Sequence, residues 1–334
     1  MFFEFPDTAE FPENKEPRFP EKVKTSHLFR EQNAFKSDMR ELGNIIDKQM
    51  DPSPDEKKIR SRQMARIVEF GREYYSFKGF KPRSDLSGSK AFDDLIKNGI
   101  HMAQTDVSKL QALFLDKALK LRDKDPATGL TDYDRGFVDN SSDSINAVTE
   151  VLTKTGQLQA ATKFRGGGNL RVRNVTVHCA MPGDRHHFQQ YRDCKTATNL
   201  INMHLDPKPS IIKAIIYLNE VGIDDGPFCW IDGSHAWDYD EFERIFAWGN
   251  SVGNYCHTPA HRRVMNSFPK RLRGNAIAGR LIPDGTALSK KITKALTPRL
   301  SKDSNCMIFT PTFGWHRGGF CKSGTRINLQ VKMT

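Results

Sequence analysis

From Leu170 onward the chain is a succession of short β-prone runs divided by turns, with no regular helical crossover between them. The runs are Leu170–His178, Ala197–Met203, Ser210–Asn219, Pro227–Ile231, Asn305–Thr310 and Thr325–Met333. They are rich in β-branched and aromatic residues, and Asp224-Asp-Gly226 marks a tight turn between two of them. Parallel sheets need long crossovers, most often helices, so this texture excludes a doubly wound architecture. It predicts a mainly β core of antiparallel strands, a sandwich or barrel.

The first 165 or so residues have a different texture. Residues 1–26 are rich in Pro, Glu and Lys and read as an extended arm. A helical region over 27–144 follows, with helix formers from Leu28 to about Met50 and a break at Asp51-Pro-Ser-Pro54. Further helices are expected from Pro54 to Tyr75, over Ala91–Gly99 and over Val107–Leu121. One more is expected over Ser144–Thr155, with Asn140-Ser-Ser-Asp143 as its N-terminal cap. A helix and loop insertion at about 237–300 interrupts the β region.

Chemistry-bearing residues sit at strand ends. His204 and Asp206 are two apart, so on a strand both leave the same face. An imidazole beside a carboxylate offers a metal two of the three ligands of a facial triad. Two histidines and one carboxylate with open positions is the arrangement of non-haem Fe(II) oxygenases. His316, in Phe313-Gly-Trp-His-Arg-Gly-Gly319, is the candidate third ligand. Ten residues later, Arg326 opens the last run, where Arg326, Asn328, Gln330 and Lys332 share one face and Ile327, Leu329, Val331 and Met333 the other. A guanidinium there suits a bidentate grip on a carboxylate. Asn202 shares the face of His204 and is a candidate cosubstrate contact.

His204-x-Asp206, Ile215-Ile-Tyr-Leu-Asn219, Asp225-Gly-Pro-Phe228, Gly233-Ser-His235 and His316 with Arg326 together resemble the phytanoyl-CoA dioxygenase-like family of Fe(II)/2-oxoglutarate oxygenases. The resemblance covers residues 145–334 and implies a double-stranded β-helix (jelly roll, cupin-like). It implies iron on His204, Asp206 and His316, and 2-oxoglutarate with its distal carboxylate on Arg326. It further implies hydroxylation of a substrate C–H by O2, with succinate and CO2 released. Some relatives that halogenate carry a small residue in place of the carboxylate, so Asp206 favours hydroxylation or another oxidation over halogenation. His235 is expected to be structural, since the triad needs no fourth ligand. His178, His186 and His187 are possible pocket residues. The pair His257 and His261, with Pro259 between them, is not expected to chelate. Gly166-Gly-Gly168 lacks the Lys-Ser/Thr of a phosphate loop and is expected to lead flexibly into the first strand.

Charge narrows the choice of substrate. The net charge is +11, and residues 260–334 hold 15 Lys and Arg against Asp284 and Asp303 alone, leaving −2 for the remainder. The basic groups His261-Arg-Arg263 and Lys270-Arg-Leu-Arg273 lie in the insertion, which is expected to act as a lid for a small or medium-sized anionic molecule. The same chemistry on nucleic acid or protein is the first alternative. It is not favoured, because the basic groups have no interleaved aromatics for base stacking. A non-catalytic jelly-roll binding protein is the second. No apolar run reaches the ~20 residues of a membrane helix, and no signal peptide is evident at Met1-Phe-Phe-Glu-Phe-Pro6. The six cysteines, Cys179, Cys194, Cys229, Cys256, Cys306 and Cys321, are scattered. Reduced thiols in a cytoplasmic protein are therefore expected.

Overall fold

In a computed structural model of the protein, the described residues are 88–122, 136–166, 168–182, 211–236, 294–312, 314–319 and 321–334, together with 44, 48, 51–58, 60, 61 and 206. The chain divides into two units, one of Met1–Lys78, Gln190–Pro209 and Trp237–Lys294, the other of Gly79–Gln189, Ser210–Ala236 and Ala295–Thr334. In the first, residues 54–58 are helical from the predicted start at Pro54. The Glu56 carboxylate accepts from the Ser53 backbone N–H at 2.9 Å, and Ser53 Oγ accepts from the Glu56 N–H at 3.3 Å. This reciprocal capping box satisfies two donors that the first turn leaves open.

The second unit carries all the strands among the described residues. Its elements in chain order are α1 (Lys90–Asn98), β1 (Ile100–Ala103), α2 (Ser108–Arg122), β2 (Gly136–Val138), α3 (Ser142–Lys154) and α4 (Gln157–Phe164). Then follow β3 (Val172–Ala180), β4 (Ile212–Tyr217), β5 (Cys229–Ile231), β6 (Leu296–Pro298), β7 (Cys306–Phe309), β8 (His316–Arg317) and β9 (Arg326–Met333). The larger sheet has the order β1-β7-β4-β9-β3-β2 and the smaller β6-β5-β8. Every pairing is antiparallel, as the strand texture predicts.

The period-2 pattern divides the larger sheet between two cores. Val175, Val177, Ile216, Ile308, Leu329 and Val331 face the helices, where they meet Phe92, Phe114, Val148 and Leu152. Each large apolar side chain so buried contributes about 1.5–3 kcal/mol. The opposite face presents Ile215, Tyr217, Met307 and Phe309 to Phe228 and Trp230, the latter on the smaller sheet. Asn328 is directly across from Tyr217, and Gln330 from Ile215, so the polar side of β9 lies on this inter-sheet face.

The helices over 90–98, 108–122 and 142–154 stand close to their expected places, the last capped by Ser141. The helical reading of the first half misses β1 and β2, which are the two edge strands of the larger sheet. At four and three residues they are too short to show a period, and their partners β7 and β3 lie elsewhere in the chain. The expected insertion ends in β6 of the smaller sheet, so Leu296–Pro298 belongs to the β core. Gly166 and Gly168 do lead toward β3, at φ 83 and 94 degrees. The run Ala197–Met203, the basic groups at 261–263 and 270–273, and His186, His187, His257 and His261 lie outside the described residues. No described helix is long and apolar enough to cross a membrane.

Candidate functional site

His316 faces the larger sheet because of its pairing. Trp230 and His316 are direct partners on β5 and β8 and therefore share a face. His316 is only 4% exposed, and its ring lies among three aromatic rings. Its centroid is 5.3 Å from Phe309 and 6.0 Å from both Phe228 and Trp230. The approach to β8 is tight, since a Cβ on Gly314 would overlap the six-membered ring of Trp230. That ring is itself pinned by donation from Nε1 to the Asn98 carbonyl at 3.0 Å. His316 Nδ1 is 3.0 Å from the Gly314 carbonyl. A carbonyl can only accept, so Nδ1 carries the proton and the lone pair of the neutral ring falls on Nε2. Such a backbone hydrogen bond is what fixes the tautomer of a metal-ligating histidine.

Arg326 stands on the inter-sheet face of the larger sheet, at the start of β9 and two residues before Asn328. The residue is 7% exposed. Nε donates to Asn328 Oδ1 at 3.2 Å and Nη1 to the Gly319 carbonyl at 3.1 Å. Both acceptors are neutral, and no carboxylate among the described residues pairs with the cation. A buried, uncompensated guanidinium is costly, and that cost is relieved by an anion. The position therefore fits a carboxylate ligand.

Two further features hold Arg326 in place, and neither was assigned a role from the sequence. Asn219, just beyond β4, accepts from the Ile327 N–H at 2.7 Å and donates to the Thr325 carbonyl at 2.6 Å. It thus clamps the residues on either side of Arg326. The Asp225-Gly-Pro-Phe228 segment supports Gly319, where an added Cβ would come within 2.5 Å of the Pro227 carbonyl oxygen. Tyr217 ties the sheets together by accepting from the Phe228 N–H at 2.8 Å and donating to the Arg299 carbonyl at 2.9 Å. Burial raises the Tyr217 phenol well above its usual range, so it stays protonated and keeps both bonds.

The structure thus places His316 on the smaller sheet and Arg326 on the larger, both on the sides that face each other within one unit. Asp206 is half-buried and belongs to the other unit, while His204 and Asn202 lie outside the described residues. Among the described residues no group of three His, Cys, Asp or Glu gathers to hold a metal. His178 is directly across from Asn328 on β3, which puts it on the inter-sheet face. The signal for this was its place at the end of an alternating run. His235 places Nε2 2.9 Å from the Ile96 carbonyl, to which it donates, and its ring lies against Gly99, where a Cβ would come within 2.7 Å of Nδ1.

No family model matches the chain, and no curated protein matches it. Solved structures do. EctD from S. alaskensis, solved with bound Fe, is similar at 13% identity over 76% of this chain and 79% of that one, with a TM-score of 0.42. AviO1 from Streptomyces viridochromogenes Tue57 is similar at 12% identity over 75% and 96%, with a TM-score of 0.40. HygX from Streptomyces hygroscopicus, solved with iron bound, is similar at 11% identity over 74% and 87%, with a TM-score of 0.39. Likeness at this level assigns the chain neither a family nor an activity.

Proposed function

We propose that the chain is an Fe(II)/2-oxoglutarate-dependent oxygenase that hydroxylates a C–H of a small or medium-sized anionic substrate. The observation that carries this reading is Arg326, a buried guanidinium held by two neutral acceptors on the face to which His316 also points. The strand orders support the expected double-stranded β-helix. The first and last long strands, β3 and β9, are neighbours in one sheet, and β8 with its candidate ligand lies in the other.

In this reading His204, Asp206 and His316 hold the iron. Arg326 takes the distal carboxylate of 2-oxoglutarate, and Asn202 is a further cosubstrate contact. Iron held there, with 2-oxoglutarate and O2, would supply the oxidation, with succinate and CO2 as the co-products. The chain's own residues do the rest. The Nδ1–H bond to Gly314 orients the imidazole of His316 and keeps its lone pair on Nε2. Asn219 and Gly319 fix the guanidinium, so its geometry is set before the cosubstrate arrives. Phe228, Trp230 and Phe309 make the surroundings of His316 apolar and exclude water from its flank. Asp206 supports hydroxylation over halogenation, since a carboxylate ligand would occupy a place that a halide needs.

An anaerobic titration with Fe(II) and 2-oxoglutarate tests the proposal, because the metal–keto-acid chelate has a visible charge-transfer band. The band is expected in the wild-type protein and not in His316→Ala. No band and no succinate from the wild-type protein would falsify the reading.

A further inference from the structure

Asn328 follows Arg326 on the same side of β9, with Tyr217 of β4 and His178 of β3 directly opposite it on its two flanks. It is 5% exposed. Its Oδ1 accepts from Arg326 Nε at 3.2 Å. A guanidinium only donates, so this contact fixes which end of the carboxamide faces Arg326, and the amide cannot be turned round. Nδ2 keeps both its protons, and among the described residues it has no acceptor. Tyr217 does not supply one, because its hydroxyl is engaged with the Phe228 N–H and the Arg299 carbonyl.

The same contact changes what Arg326 offers. The Nε–H is one prong of the side-on fork with which a guanidinium grips a carboxylate. Asn328 occupies that prong, and the Gly319 carbonyl takes a proton from Nη1. Nη2 has no acceptor among the described residues. The chain beside it carries no side chain: a Cβ on Gly318 would lie 3.5 Å from Nη2 and 4.0 Å from Nη1. Nη2 of Arg326 and Nδ2 of Asn328 are thus the nitrogens of the pair that lack an acceptor. A buried donor left unmet is costly, and a carboxylate, which only accepts, brings two oxygens to such a pair. Donation from Nε to Oδ1 also polarises the carboxamide and makes Nδ2 a stronger donor. We propose that Asn328 is a direct ligand of the cosubstrate: Nδ2 donates to the distal carboxylate of 2-oxoglutarate, while Nη2 of Arg326 pairs with its charge. The identity of the ligand rests on the oxygenase reading above; the carboxylate site rests on the Arg326 and Asn328 pair alone.

Two measurements on the full-length protein test this. The first is the anaerobic Fe(II) titration, read by its charge-transfer band, with 2-oxoglutarate and with 2-oxopentanoate, which has the same keto acid and no distal carboxylate. Asn328→Ala is expected to bind 2-oxoglutarate about tenfold or more weakly, the scale of a hydrogen bond to a charged group, and 2-oxopentanoate within about threefold of wild type. The second follows the side-chain amide protons by NMR in metal-free protein made with isotope-labelled asparagine. The pair of signals that vanishes in Asn328→Ala is expected to move downfield on adding 2-oxoglutarate and to stay in place on adding 2-oxopentanoate. An amide that only orients Arg326 keeps its Nδ2 protons free and gives no such move. Equal losses for both acids in Asn328→Ala, or an unmoved amide signal with 2-oxoglutarate, overturns Asn328 as a ligand. A wild-type protein without the band overturns the oxygenase reading, and the metal-free amide signal then decides the carboxylate site by itself.

Discussion

Nη1 of Arg326 donates to the carbonyl of Gly319, three residues beyond His316, so one short segment carries the candidate metal ligand and also anchors the cation. The two are coupled through backbone. Replacing Arg326 with Gln should weaken 2-oxoglutarate binding by about 10- to 150-fold, matching the 1.5–3 kcal/mol of a hydrogen bond to a charged group. The charge-transfer titration reads that loss. The melting temperature should hold or rise, because a buried cation paired with no described carboxylate contributes little to stability. A fall in both would mean that Arg326 is structural.

Asn219 should behave as a positioning residue. Asn219→Ala removes the acceptor for the Ile327 N–H and the donor to the Thr325 carbonyl, leaving buried backbone groups unmet at about 1–3 kcal/mol. The KM for 2-oxoglutarate should rise more than kcat falls, since the guanidinium is misplaced while the proposed iron ligands are untouched. Asn219→Asp keeps the acceptor and loses the donor, so its KM should fall between the two. Steady-state kinetics with varied 2-oxoglutarate gives this split; equal losses in all terms for Ala and Asp would point to general destabilisation.

Gly314 and Gly156 make a matched pair of tests. An added methyl at Gly314 collides with the fully buried Trp230 ring, and overpacking of that kind costs about 1–3 kcal/mol. At Gly156 a methyl meets nothing within 4 Å, and the penalty is only that of a side chain at φ +72, roughly 1 kcal/mol. Both variants should melt earlier than wild type. Only Gly314→Ala should also lower iron retention on dialysis, because it disturbs the carbonyl that orients His316.

Cys306 links stability to alkaline pH. Burial pushes its thiol from near 9.0 up to about 12, and Sγ–H donates to Gln157 Oε1 at 3.0 Å. In the unfolded chain the thiol ionises near its ordinary value, while in the fold it stays protonated. Between pH 9 and 12 the folded state therefore binds more protons, and stability falls as pH rises through that window. Urea titrations at stepped pH should show the decline. Cys306→Ala, though less stable at pH 8, should show a shallower one.

Much of the architecture was legible because the hydrophobic period is local. The alternation in Thr325–Met333 predicted which side of β9 is polar, and the helix caps predicted α3 to within two residues of its start. The site was legible to the extent that its residues end strands, which is how His316 and Arg326 were found. The short edge strands β1 and β2 could not be read, as three or four residues carry no period and their strand character comes from partners far away in sequence. Asn219 could not be assigned a role for the same reason, because its partners Thr325 and Ile327 are over a hundred residues away. Side-chain chemistry along the chain determined which residues could bind a metal or a carboxylate. Only the tertiary structure decided that Arg326 is buried against two neutral acceptors and that Asn328 lies between Tyr217 and His178. Burial and cross-strand register are properties of the packed sheets, and both arise from residues that are distant in the sequence.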